Sequence, residues 1–108
     1  RQIELVSSEI LEFELNQNPD RLRRTYVAEV LSGVATVIQV DEAIHARARE
    51  LEASGIRGMD ALHLACAEAA VVNYFSSCDD RFLRKARTIV GLGVTVVSLL
   101  ELVEELAR

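Results

Sequence analysis

The chain has 108 residues, half of them apolar and 27% charged, the composition of one packed domain rather than of a disordered segment. Twelve Lys and Arg stand against seventeen Asp and Glu, a net charge of −5, which excludes a generally basic, nucleic-acid-coating surface but not a local basic patch. No apolar run reaches the roughly 20 residues of a membrane span, because His63 and Glu68 break the best candidate, Ala61 to Val72.

Taken in order, Ile3 to Val6 reads as a short buried strand, with Ser7 and Ser8 as a helix-start signal. From Glu9 to Leu15 two patterns compete. Leu11, Phe13 and Leu15 alternate with Glu12 and Glu14 as in an exposed strand, yet Ile10, Leu11 and Leu15 also share one helical face. The serine start favours helix. Asn16 to Asp20, with the only proline, breaks it. A second helix runs from Arg21 with Leu22, Tyr26, Val30 and Leu31 at helical spacing, and Ser32 and Gly33 end it.

Thr36 to Val40 is rich in β-branched residues and reads as a strand. Asp41 then caps a helix carrying Ile44, Ala48 and Leu51, stopped by Gly55. Gly58 precedes a helix from Met59 to about Val71, apolar nearly all round and so expected to be buried on most sides. Val72 to Ser76 is a strand, Asp79 to Arg87 a short basic helix, and Gly91 and Gly93 bracket a turn into the strand Val94 to Val97. A last helix shows Leu99, Leu102, Val103 and Leu106 at i, i+3, i+4, i+7. Short apolar strands separated by helices indicate one α/β domain over residues 1–108, a parallel sheet with helices on both faces.

Cys66 and Cys78 form no CxxC pair, and His45 and His63 are the only histidines. That speaks against a zinc site or a disulfide scaffold and for a reducing, cytoplasmic setting. The carboxylates are more informative. With Ile10 at 0°, Glu14 falls at about 40° on the helical wheel, inside the apolar stripe. There it must be paired, hydrogen-bonded or metal-bound unless it escapes to solvent at the helix end. Asp60 opens the most apolar helix, where the helix dipole alone would favour it. Asp79 and Asp80 follow a strand, where either would serve as a cap. In open parallel sheets, however, ligands bind beyond the carboxyl ends of the strands. Three acids converging there need a cation, and hard oxygen ligands suit Mg²⁺ or Mn²⁺. A carboxylate-held Mg²⁺ beside arginines is equipment for phosphodiester hydrolysis. Arg81, Arg84, Lys85 and Arg87, with Arg21, Arg23 and Arg24, would hold a phosphate backbone, or else form a solvated face.

Three segments, in order, resemble the PIN-domain family of VapC-type toxins and related endoribonucleases. Leu5 to Leu15, LVSSEILEFEL, resembles the family's strand, Ser/Thr and acid six residues later, with Ser8 and Glu14 in those places. Met59 to Ala67, MDALHLACA, resembles its D-A-L/I-x-x-A helix, with the acid at Asp60. Phe75 to Ala86, FSSCDDRFLRKA, resembles T-x-D-x-x-F, with Ser77, Asp79 and Phe82 in those places. The resemblance implies a three-layer α/β/α fold and an Mg²⁺/Mn²⁺ site to which Glu14, Asp60 and Asp79 contribute. It also implies RNA as substrate, hydrolysis by metal-activated water, a homodimer and an antitoxin protein as partner. Ser77 would position the acid or the nucleic acid. Asp80 is a helper at most, since Arg81 stands where some members carry a further acid. His63 reads as structural, and Glu9, Glu12 and Asp41 match no family acid.

One departure bears on activity. PIN domains begin with a central strand ending in an aspartate, and nothing before Ile3 supplies either. Together with the start at Arg1, this leads us to expect an N-terminally incomplete fold and a longer natural protein. A chain that truly lacks the strand would instead be a degenerate module that binds RNA or protein without cutting. A phosphoacceptor receiver using Asp79 and Asp80 is set aside, because the only lysine, Lys85, lies on a helix rather than after a strand.

Overall fold

The computed structural model describes residues 6–8, 36–77 and 79–108. Strand β1 is Val6–Ser8 and β2 is Thr36–Ile38, paired in parallel with Val6 opposite Thr36. Ser7 and Ser8 therefore belong to a strand, which runs two residues past the expected end at Val6. The expected helices over 9–15 and from Arg21, with Glu14, Arg21, Arg23 and Arg24, lie outside the described residues, as does Cys78.

Helix α1, Glu42–Ala53, starts where Asp41 Oδ1 accepts the Ile44 N–H at 2.9 Å. It buries Ile44, Ala48 and Leu51, the stripe expected from their spacing. Its end is a Schellman turn. The Gly55 N–H donates to the Glu52 carbonyl and the Ile56 N–H to that of Leu51. Gly55 takes φ +105°, open to a residue without Cβ, and buried Ile56 and Leu51 complete the motif.

Helix α2, Gly58–Ala69, packs against α1 and buries Ala61, Leu64, Ala65 and Cys66. It is less enclosed than its composition implied, since Met59 is exposed and Leu62 and Ala67 only part-buried. It too ends in a Schellman turn, with N–H groups of Val71 and Val72 on the carbonyls of Glu68 and Ala67. That turn consumes the residues expected to open the next strand. Hence β3 is Tyr74–Ser77, shifted two residues along at its start from the apolar run.

Helix α3, Asp80–Ala86, follows and buries Phe82, Leu83 and Ala86. Strand β4, Thr95–Ser98, pairs in parallel with β3, Tyr74 opposite Thr95. Helix α4, Leu99–Leu106, leaves β4 directly: the Glu101 N–H donates to Ser98 Oγ and the Ser98 N–H to Glu101 Oε1, a capping box.

Alternation along the strands sorts the helices into layers. Phe75 and Val96 are register partners and face the cluster formed by α1, α2 and α3, where Phe75 meets Phe82 at 5.5 Å between ring centroids. Tyr74 faces the other way and donates its hydroxyl to Glu105 of α4 at 3.2 Å. Helices thus cover both faces of a parallel α/β sheet. Among the described residues the strands form two separate pairs, β1–β2 and β3–β4, rather than one continuous sheet. The two fully buried leucines, Leu51 and Leu64, each contribute roughly 1.5–3 kcal/mol by leaving water.

Candidate active site

One end of the fold gathers chemistry. Glu68, near the C-terminal end of α2, accepts the Gly93 N–H at 2.7 Å, just before β4 begins. The C-terminal end of α2 therefore sits at the start of β4, and Asp60 stands at the opposite end of that helix, in its first turn. Asp79 follows the carboxyl end of β3. Asp79 thus stands at the end of the sheet where α/β proteins bind ligands.

Asp79 is the N-cap of α3. Its Oδ1 accepts the N–H groups of Arg81 at 2.9 Å and Phe82 at 3.2 Å, satisfying two donors that the first turn leaves open. Its Oδ2 has no hydrogen-bond partner among the described residues. Ser77 Oγ accepts the Asp79 N–H at 3.1 Å, so the serine fixes the loop that aims the acid. Asp80 is exposed in the first turn. Asp60 is half-buried in the first turn of α2.

The basic residues of α3 divide. Arg81 and Arg84 are exposed and make no ion pair among the described residues. Lys85 lies across the Gly55 turn, where a Cβ on residue 55 would collide with its Cε and Nζ. Arg87 pairs with Glu101 of α4. The Glu101 carboxyl is held below its ordinary value first by the Ser98 N–H, then by the Ser98 hydroxyl, with Arg87 adding to both. Only Arg81 and Arg84 of the four thus remain uncommitted beside Asp79.

The family model that matches this chain is that of the PIN domain, over residues 1–88. The chain belongs to the PIN-domain family. PIN domains are nuclease-type domains, often ribonucleases, and generally depend on a divalent metal. The match spans every described element from β1 to α3, with β4 and α4 beyond it. Comparison with curated proteins and with solved structures returned no match.

The donor chemistry of this PIN domain suits such a metal: Asp60 and Asp79 bring hard carboxylate oxygens. Among the described residues no three His, Cys, Asp or Glu side chains come together, and Glu14 lies outside them. No described helix is long and apolar enough to cross a membrane. His63 is part-buried within α2, on a residue run that packs into the core.

A second polar cluster escaped the reading of the sequence. Arg47 of α1 donates from Nε to Glu68 Oε1 at 2.7 Å and from Nη2 to Oε2 at 3.1 Å. Burial pushes the Glu68 carboxyl up, but the bonds from Arg47 and Gly93 and the Arg47 charge outweigh it. Glu68 ends below its ordinary value of 4.5. The available signal was a glutamate inside an apolar helix, noted only as an interruption.

Proposed function

We propose that this PIN domain is a metal-dependent endoribonuclease hydrolysing RNA phosphodiester bonds, in the manner of a toxin whose antitoxin is a separate protein. The observation that carries the reading is Asp79. It stands at the carboxyl end of a parallel strand, aimed by Ser77, with one carboxylate oxygen tied to the backbone and the other available. Asp60, in the first turn of α2, and Glu14 are the two further acids we assign by their motifs. These three would hold Mg²⁺ or Mn²⁺, which when bound supplies an activated water and charge stabilisation at the leaving oxygen. Arg81 and Arg84 would hold the phosphates on either side of the cut, as cations that no carboxylate among the described residues has claimed. Lys85 contributes less, being drawn toward the Gly55 turn. Asp80 is available as a helper in the first turn of α3.

The test is cleavage of single-stranded RNA by the purified protein with Mg²⁺ or Mn²⁺, with and without a chelator. We expect metal-dependent cleavage that Asp60→Asn or Asp79→Asn lowers about 100-fold or more, the scale expected when positioned charge is removed from a hydrolytic site. A binding module would behave differently. It would retain RNA with either substitution, would not cut, and would release it steeply as salt rises.

A further inference from the structure

Among the described residues, strand β4 has a neighbour on one side only, β3. The Thr95 N–H donates to the Asn73 carbonyl at 3.3 Å, toward β3. Backbone groups alternate in direction along a strand, so the N–H and C=O of Val96 point the other way. They face an outer edge that no described strand occupies. Further along that edge the Ser98 N–H is taken by Glu101 Oε1 at 2.8 Å, which closes its carboxyl end.

A pocket of about 290 Å³ opens beside this strand, lined by Val94, Thr95 and Val96 together. Thr95 projects to the opposite face of the sheet from Val94 and Val96. A space that touches all three therefore lies at the edge of β4 rather than over one face. Ile89 and Leu92 form aliphatic walls, and Arg87 is the one charged side chain in the lining. The turn that carries Leu92 is pinned, because Glu68 holds the Gly93 N–H. Arg87 pairs with Glu101, but the capping box between Glu101 and Ser98 stands without it. The guanidinium can thus turn to a carboxylate brought from outside while α4 keeps its cap.

We propose that the outer edge of β4 takes up an extended, acidic segment of a partner protein as an added strand. One aliphatic side chain of that segment fills the pocket, and an Asp or Glu two residues away, on the same face of the added strand, meets Arg87. Main-chain bonds to Val96 supply affinity, and the pocket and Arg87 supply selectivity. Unpaired strand groups call for a strand rather than a helix, and the single cation calls for an acid. The proposal is independent of the nuclease reading, because it uses none of the acids assigned there.

Short random peptides displayed on phage and selected on the immobilised chain supply the probe, and the selected sequences are then synthesised and titrated by fluorescence anisotropy. We expect them to carry an aliphatic residue and an acid two positions apart. N-methylation of the peptide at alternate residues should raise Kd about tenfold or more, the scale of a lost hydrogen bond to a desolvated partner. The residues between should tolerate it. Arg87→Ala should raise Kd about tenfold, and removing the peptide's acid should then add nothing further. The Arg87–Glu101 pair is exposed, so this variant should melt close to wild type. Selection without an enriched sequence overturns the proposal. So do apolar residues at helical spacing, or N-methylation tolerated throughout, since either means binding without strand addition. Binding indifferent to Arg87→Ala places the site elsewhere. A wild-type dimer that the peptide dissociates would show a second copy already on this edge, and overturns it equally.

Discussion

At Asp79 one side chain serves as a helix cap and as a candidate ligand, and a substitution can separate the two. Asparagine caps a helix about as well as aspartate, whereas alanine forfeits about 0.5–2 kcal/mol. Asp79→Asn should therefore melt close to the wild type while losing metal-dependent cleavage. Asp79→Ala should lose cleavage and also melt several degrees lower, about 4–8 °C per kcal/mol for a domain near this size. Thermal denaturation followed by circular dichroism checks both. If Asp79→Asn keeps full activity, the acid is a cap alone. The sequence placed an acid here and offered capping and chemistry as rival readings. The structure shows that they are compatible, because the cap uses Oδ1 and leaves Oδ2.

The helix ends carry the lesson for whole elements. Helices α1 and α2 finish in the same Schellman geometry, but α1 has Gly55 at the left-handed position while α2 has Val71 at φ +55°. A left-handed conformation costs an L-residue about 1–2 kcal/mol. It is least suited to a β-branched side chain, and Val71 is 83% exposed with little packing to offset it. Val71→Gly should therefore raise stability by about 1 kcal/mol, read as a higher urea midpoint with an unchanged slope. Gly55→Ala should lower it by about 1–2 kcal/mol, since the new Cβ meets both the strained backbone and the end of Lys85. Gly55 was legible as a stop because glycine is the usual residue there. The stop at Val71 was not, and so β3 was placed too early. The capping box at Ser98 and Glu101 was missed similarly, although S-x-x-E stands in the sequence.

At the scale of the molecule, Glu68 holds three parts together: its own helix, Arg47 on α1 and the Gly93 turn into β4. With its side chain only 13% exposed, Glu68→Gln should cost about 1–3 kcal/mol by weakening charged hydrogen bonds. The folded pKa lies below the ordinary 4.5. Its stabilisation is therefore full above the unfolded value and lost as pH falls through the lower, folded one. Denaturation from pH 6 down to pH 3 should show a slope that Glu68→Gln flattens. A variant that loses stability with the same slope as wild type would place the titrating group elsewhere.

The α/β class, the parallel strands, the α1 stripe of Ile44, Ala48 and Leu51, and the cap at Asp79 were all readable from the chain. Each depends on local spacing, on capping chemistry or on a motif a few residues long. The pairing of Arg47 with Glu68 spans 21 residues, and the choice of which α3 cations stay free depends on Gly55 and Glu101, elements away. Nor does the α4 pattern say how much of its apolar arc the sheet will cover. Those outcomes turn on distances between segments far apart in sequence, which periodicity does not encode and only packing decides.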